Sequence, residues 1–235
     1  MNDLAKQQVE AGMLLGVTDS KLILAPEFNC VLHPLVIEPL TLLAMEAQAK
    51  GFSLRVASSY RNFERQLLIW NRKASGIRVV LDKHGEPLDI ATLNDKEKVF
   101  AILRWSALPG SSRHHWGTDI DVYDASRIDV NYSLQLTLAE TQNDGPFAEF
   151  HRWLSSELNS NARGFYRPYD NSDDDNDGVA PEPWHLSYAP VASLYGSQMN
   201  EEILREQILL SEIALKETVL ENLDEIYQRF IKPYC

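Results

Sequence analysis

Two short segments of the chain concentrate side chains that bind metals and move protons. The first is Ser112-Arg113-His114-His115-Trp116-Gly117-Thr118-Asp119-Ile120-Asp121, and the second is Glu182-Pro183-Trp184-His185. Zinc at a catalytic site usually takes three protein ligands from histidine and carboxylate and leaves a fourth position for water. His114, Asp121 and His185 supply such a set, and bound zinc lowers the pKa of its water toward ~7. Glu182 lies three residues before His185, so a bend there can aim its carboxylate at that water as a general base. The remaining histidines, His33, His84, His115 and His151, have no comparable company.

These groups need elements to hold them. Thr118 to Tyr123 reads as a short strand. Side chains alternate between faces along a strand, which puts Asp119 and Asp121 on one face and Ile120 and Val122 on the other. Two carboxylates facing together are costly unless a cation or hydrogen bonds compensate. A metal explains that pair better than a solvated face does. Elsewhere, apolar spacing predicts a helix over Val36 to Ala47 with Gly51 at its stop, a strand over Phe52 to Ala57, and a helix over Phe63 to Ala74 capped by Asn62. Ile77 to Asp89 reads as a hairpin turning at His84-Gly85, Lys96 to Ala107 and Phe147 to Leu158 as helices, and 164–177 as a polar, turn-rich segment. Residues 1–30 read as a helical arm followed by a turn around Pro26. Residues 200–232 read as a long, acidic, amphipathic helical region, apolar near Ile203, Ile208, Leu209, Ile213, Val219 and Leu223.

Composition bounds the possible partners. The chain has 235 residues, 44% of them hydrophobic and 24% charged, which suits a soluble globular protein with a real core. A net charge of -12, with no cluster of Lys and Arg to neutralise phosphates, argues against nucleic acid as a partner. No apolar run approaches the ~18 residues needed to cross a bilayer. The first eight residues show neither a basic nor an apolar leader region, so a cytoplasmic location is expected, or a periplasmic one if a leader has been removed. Cys30 and Cys235, the two cysteines, form no metal-type spacing and no disulfide framework, in keeping with a reducing compartment.

Taken together, the segments resemble a known family. The first is similar to the S-x-H-x-x-G-x-A-x-D signature of the VanY-like D-alanyl-D-alanine carboxypeptidases, within the LAS zinc metallopeptidases (peptidase family M15). The second is similar to their E-P-W-H signature, and Ser58-Ser59-Tyr60-Arg61 with Gln66 resembles their S-x-Y-R…Q segment. Order and the seven-residue interval from His114 to Asp121 agree as well. The resemblance implies an α+β fold in which a small antiparallel sheet carries the zinc site, flanked by helices, with an added C-terminal helical region. The corresponding division is an N-terminal helical arm at 1–32, a zinc peptidase domain at 33–196, and a C-terminal helical extension at 197–235 packed on it. It further implies zinc ligands at His114, Asp121 and His185, a base at Glu182, and Arg61 as the group that polarises the scissile carbonyl and meets its oxyanion. Ser112, Gln66 and Tyr60 are expected to bind substrate or brace the site, and Trp184 to wall the pocket.

Two positions depart from the family pattern. Asp119 stands where the signature has alanine, either as support behind the ligands or as a contact to a cationic part of the substrate. Ser187 stands where an arginine often precedes the tyrosine. The implied activity is removal of a C-terminal D-amino acid from peptidoglycan-derived peptides or muropeptides. An L,D-carboxypeptidase acting on recycled tetrapeptides is favoured by the expected cytoplasmic location. The alternatives are a D,D-carboxypeptidase or D,D-dipeptidase acting on D-Ala-D-Ala ends and, from another class, a non-catalytic zinc-binding module that recognises peptides. Asp173-Asp174-Asp175-Asn176-Asp177-Gly178 opens like a calcium loop. Trp184, however, stands where the bidentate glutamate is required, so a solvated loop is the favoured reading.

Overall fold

The structure is a computed structural model that describes residues 8–160, 163–170 and 177–235; the calcium-loop reading at 173–176 lies outside the described residues. Helix α1 (Ala11–Leu14) leads into a hairpin of β1 (Ile23–Ala25) and β2 (Cys30–Leu32), then α2 (Pro34–Ala49), β3 (Leu54–Ser58) and α3 (Phe63–Ala74). A second hairpin of β4 (Val80–Leu81) and β5 (Pro87–Leu88) precedes α4 (Asp95–Trp105). A 3-10 turn at Arg113–Trp116 then enters β6 (Asp119–Asp124). After α5 (Leu138–Thr141) and α6 (Ala148–Asn159) come β7 (Phe165–Tyr166), β8 (His185–Tyr188), α7 (Ala189–Gly196), α8 (Glu201–Leu210), α9 (Lys216–Glu221) and α10 (Leu223–Ile226). No described helix is long and apolar enough to cross a membrane.

Strands β3, β6, β8 and β7 form an antiparallel sheet in the order β3-β6-β8-β7. The expected α+β class is the one observed. Ile120, Val122 and Leu186 point from one sheet face into a core with Leu40, Leu43, Ala47, Phe150 and Leu154 of α2 and α6. The opposite face carries Asp119, Asp121, His185 and Ser187, and the register sets Asp121 against His185 and Asp119 against Ser187. A second core joins α1, α3, α4 and the C-terminal helices through Met13, Trp70, Ile102, Trp116, Tyr195, Ile208 and Val219.

Local signals account for the helix that follows β3. The Asn62 side chain accepts from the Arg65 amide at 2.9 Å. Glu64 sits in the first turn of α3 and Arg72 and Lys73 in its last, the charge order that a helix dipole favours. Three expectations need correction. The N-terminal arm is helical only over Ala11–Leu14 among the described residues, and the β1–β2 hairpin follows it. Its three-residue strands are too short to show alternation. The turn-rich segment contains β7, which two residues, Phe165 and Tyr166, contribute as an edge strand. The expected C-terminal helical region is built of α8, α9 and α10, interrupted where Leu215 lies in the left-handed region at φ 62°. There Trp70 Nε1 donates to the Ala214 carbonyl at 3.0 Å and Asn71 holds Glu212 and Ala214, so contacts with α3 override helical spacing. Leu209, expected on the apolar face, is exposed.

Gly117 joins the 3-10 turn to β6 at φ 67°. A Cβ there would lie 2.6 Å from the Leu22 side chain and 3.0 Å from the His33 amide. Replacing Gly117 with Ala is expected to lower unfolding free energy by about 1–3 kcal/mol, read by chemical denaturation.

Candidate metal centre

Each metal-binding side chain comes from a different local geometry. His114 lies in the 3-10 turn, Asp121 in the middle of β6, and His185 opens β8. Their ligand atoms lie within 4.8 Å of one another, and all three residues are buried. Asp121 Oδ2 is 3.4 Å from His114 Nε2, and Asp121 Oδ1 is 3.1 Å from His185 Nδ1. Yet Asp121 Oδ1 and His185 Nδ1 make no hydrogen bond, although buried polar atoms are nearly always satisfied. Two imidazole nitrogens and a carboxylate converging on one point are a donor set suited to zinc. The expected triad is the one the fold brings together.

The far side of each ring is tied to one residue. His114 Nδ1 donates to the Asp119 carbonyl at 3.2 Å, and His185 Nε2 donates to Asp119 Oδ1 at 3.0 Å. Protonation at those nitrogens leaves His114 Nε2 and His185 Nδ1 with lone pairs for a cation. Asp119 itself is 0% exposed. It accepts from Arg113 Nε at 2.8 Å, Thr118 Oγ1 at 2.6 Å and Ser187 Oγ at 3.1 Å. Burial alone would raise its pKa, but Arg113 and the hydrogen bond to His185 bring it down to about 2. The proposed contact between Asp119 and substrate is therefore corrected, because its carboxylate is wholly engaged behind the ligands. Arg113 is equally committed, donating to Tyr166 Oη at 3.0 Å, Ser187 Oγ at 2.6 Å and the Tyr234 carbonyl, with its guanidinium 4.7 Å from the Trp116 ring. Ser187, at the position where an arginine often occurs, points into this network and offers no cation to a substrate.

Glu182 flanks the same point, its Oε2 3.4 Å from His185 Nδ1, and at 18% side-chain exposure it is more open than the ligands. The turn that carries it is held by the His185 amide donating to the Glu182 carbonyl at 3.0 Å and by Arg167 donating to the Pro183 carbonyl at 2.7 Å. His185 illustrates the electrostatics of the pocket. Burial pushes its pKa down, but the hydrogen bond to Asp119 and the nearby carboxylates of Asp121 and Glu182 raise it well above the usual imidazole range. The pocket attracts positive charge.

Arg61 lies beyond the end of β3, its amide donating to the His114 carbonyl at 3.2 Å. Gln66 Oε1 accepts from Arg61 Nη1 at 2.8 Å and Ser58 Oγ from Nη2 at 3.1 Å. Gln66 is 0% exposed and gives its amide nitrogen to the Ala107 carbonyl at 2.6 Å, so it braces Arg61. Ser112 and Trp184 are buried in the wall, and their carbonyls accept from the His115 and Val122 amides. Tyr60, beside Arg61, is half-buried. Sequence reading missed two bracing residues, Arg113 and His115. His115 donates from Nδ1 to the Arg61 carbonyl at 2.5 Å and accepts from the Gly110 amide at 3.2 Å. Burial holds it neutral, with a pKa of about 3. Both lie inside the signature, yet nothing in residue type says which neighbour they hold.

Exchanging Asp119 for Ala removes the acceptor that orients His185. Zinc affinity is expected to fall about 10- to 100-fold, measured by competition with a chromophoric chelator.

A sequence profile described as VanY: D-alanyl-D-alanine carboxypeptidase matches residues 29–191. An uncharacterised protein of Haemophilus influenzae is 33% identical over 124 residues, 53% of this chain and 92% of that protein. Two solved structures share the fold. One is a glutamate-to-alanine variant of the vancomycin-resistance D,D-pentapeptidase VanY in complex with Zn(II), at 24% identity and a TM-score of 0.51, covering 86% of this chain and 90% of that one. The other is the LD-carboxypeptidase LdcB, at 18% identity and a TM-score of 0.51, covering 85% and 77%. Because the profile match spans well over half of the chain and takes in both metal-binding segments, the chain belongs to the VanY family of D-alanyl-D-alanine carboxypeptidases.

Proposed function

We propose that this zinc carboxypeptidase removes the C-terminal D-amino acid from peptidoglycan-derived peptides, with the L,D bond of recycled tetrapeptides as its preferred target. The observation that carries the reading is the placement of Glu182 beside the convergence point of His114, Asp121 and His185, with Arg61 fixed next to it. Bound zinc supplies Lewis acidity and a water that ionises near neutral pH. Glu182 takes the proton of the attacking water and returns it to the departing amine of the released amino acid. Arg61 keeps donors free beyond those given to Gln66 and Ser58, and its planar, permanently charged head meets the negative charge that grows on the scissile carbonyl oxygen. The charges of Asp121 and Glu182 both act on it. A module that only binds peptides would need neither group in this arrangement.

The choice of bond draws on compartment. Cys30 and Cys235 are both free thiols, as suits a reducing, cytoplasmic setting. In that setting a D,D activity would destroy pentapeptide wall precursors, whereas an L,D activity trims tetrapeptides to tripeptides. Incubation with muropeptide tetrapeptide and pentapeptide, with and without chelator, followed by mass spectrometry, tests both levels. Loss of one residue from the tetrapeptide alone is expected. Cleavage confined to the pentapeptide would make the enzyme D,D-specific, and no metal-dependent cleavage of either would refute the peptidase reading. Replacing Glu182 with Ala should leave zinc content intact and lower kcat at least about 100-fold, whereas His114→Ala should lose both zinc and turnover.

A further inference from the structure

Arg167 stands just past β7, on the stretch that runs beside the turn carrying Glu182. Its guanidinium is shared between that turn and helix α6. Nε donates to the Pro183 carbonyl at 2.7 Å, while Nη1 donates to Ser155 Oγ at 2.6 Å and Nη2 to the His151 carbonyl at 3.5 Å. Ser155 in turn donates its hydroxyl to the same His151 carbonyl at 2.8 Å. His151 Nδ1 lies 3.4 Å from Nη2. Burial, and then the charge of Arg167, hold that imidazole neutral with a pKa of about 3, so its lone pair can face the cation. All three guanidinium nitrogens are thus committed to neutral acceptors within the protein. A rigid planar fork can meet several fixed acceptors at once, which a lysine ammonium does less well. The arrangement suits a bracket and leaves no nitrogen of Arg167 without an acceptor.

The bracket falls on the backbone next to the base. Pro183 has no N–H to give, so its carbonyl is the main-chain group by which it can be held. Three successive peptide groups around Glu182 are pinned. The Glu182 amide donates to the Tyr169 carbonyl at 3.0 Å, the Glu182 carbonyl accepts from the His185 amide at 3.0 Å, and the Pro183 carbonyl accepts from Arg167. The first two are main-chain contacts that no side-chain replacement removes. The third comes from a side chain, and it ties the turn to α6, which packs on the apolar face of the sheet. The ligands are placed by other means. Asp121 and His185 follow from the β6–β8 register, and His114 from the 3-10 turn. One residue after Pro183, the Trp184 carbonyl already accepts from the Val122 amide of β6 at 2.9 Å. Loosening Arg167 therefore frees Glu182 more than it frees the ligands. A general base acts only within hydrogen-bond reach of its proton, and a misplacement of about 1 Å can cost about 100-fold in rate.

We propose that Arg167 is the positioning residue of the general base, bracketing the Pro183 carbonyl to α6 and so holding the Glu182 carboxylate beside the metal position, an assignment that rests on the peptidase reading above. The test compares zinc-loaded wild-type protein with Arg167→Met and the milder Arg167→Lys on whichever muropeptide the wild type cleaves. Arg167→Met is expected to lower kcat about 10- to 100-fold, and Arg167→Lys less, since it keeps the charge and one donor. KM should stay within about twofold, and zinc affinity should not change. In a Glu182→Ala background Arg167→Met should lower the residual rate no further, because the group it positions is gone. Amide exchange followed by NMR reads the same bracket without turnover. In both variants the Glu182 and His185 amides should exchange at least about 10-fold faster than in the wild type while β6 stays protected. Unchanged kcat, a parallel loss of zinc affinity, or an undiminished effect in the Glu182→Ala background would overturn the assignment. Unchanged amide exchange would do the same. Failure of the wild-type protein to hydrolyse any of these peptides would count against the peptidase reading alone, because exchange at Glu182 needs no substrate.

Discussion

A buried carboxylate and two buried imidazoles cannot converge with unpaired atoms facing one another unless positive charge stands among them. The β6–β8 register imposes that convergence by setting Asp121 opposite His185, and the 3-10 turn adds His114 from the side. Against the effect of burial, the carboxylates around His185 raise its pKa, so the pocket favours positive charge and suits a cation. With one, Asp121 Oδ1 and His185 Nδ1 gain the partner they otherwise lack. Much of the surrounding sheet, turn and helix geometry serves to keep these atoms from relaxing apart.

Asp119 transmits that restraint. Its carbonyl and its carboxylate reach different histidines, so one residue on β6 sets the tautomer of two rings. A carboxylate in that place would be costly by itself, and Arg113 offsets the cost with a buried ion pair. Arg113 in turn is satisfied by Tyr166, Ser187 and the carbonyl of Tyr234. The C-terminal segment therefore does more than cover an apolar core, since its last residues complete the hydrogen bonding of the group behind the metal-binding face.

The reacting side of the site has the opposite character. Arg61 is braced at its head by Gln66 and Ser58 and at its backbone by His115, so its position depends on α3 and on the 3-10 turn at once. Lys73 lies farther along the same helix face. Arg61 is positive where Asp119, Asp121 and Glu182 are negative, and the charges of Asp121 and Glu182 act on it.

The sequence alone was sufficient for what depends on residue type and short spacing. The helices α2, α3, α4 and α6, the strand holding Asp119 and Asp121, the hairpin at His84-Gly85, and the ligand set with Glu182 beside it all follow from periodicity, caps and donor chemistry that act within a few residues. The family signature added Arg61. Contacts between distant segments were beyond its reach. The break at Leu215 depends on α3, the pairing of Phe165 and Tyr166 depends on β8, and the role of Asp119 depends on Arg113, Ser187 and a carbonyl at residue 234. Lys73 reads in sequence as one more basic residue in the last turn of a helix. Only packing decides that the residue is almost wholly covered, because burial is set by tertiary contacts and leaves no trace in local pattern.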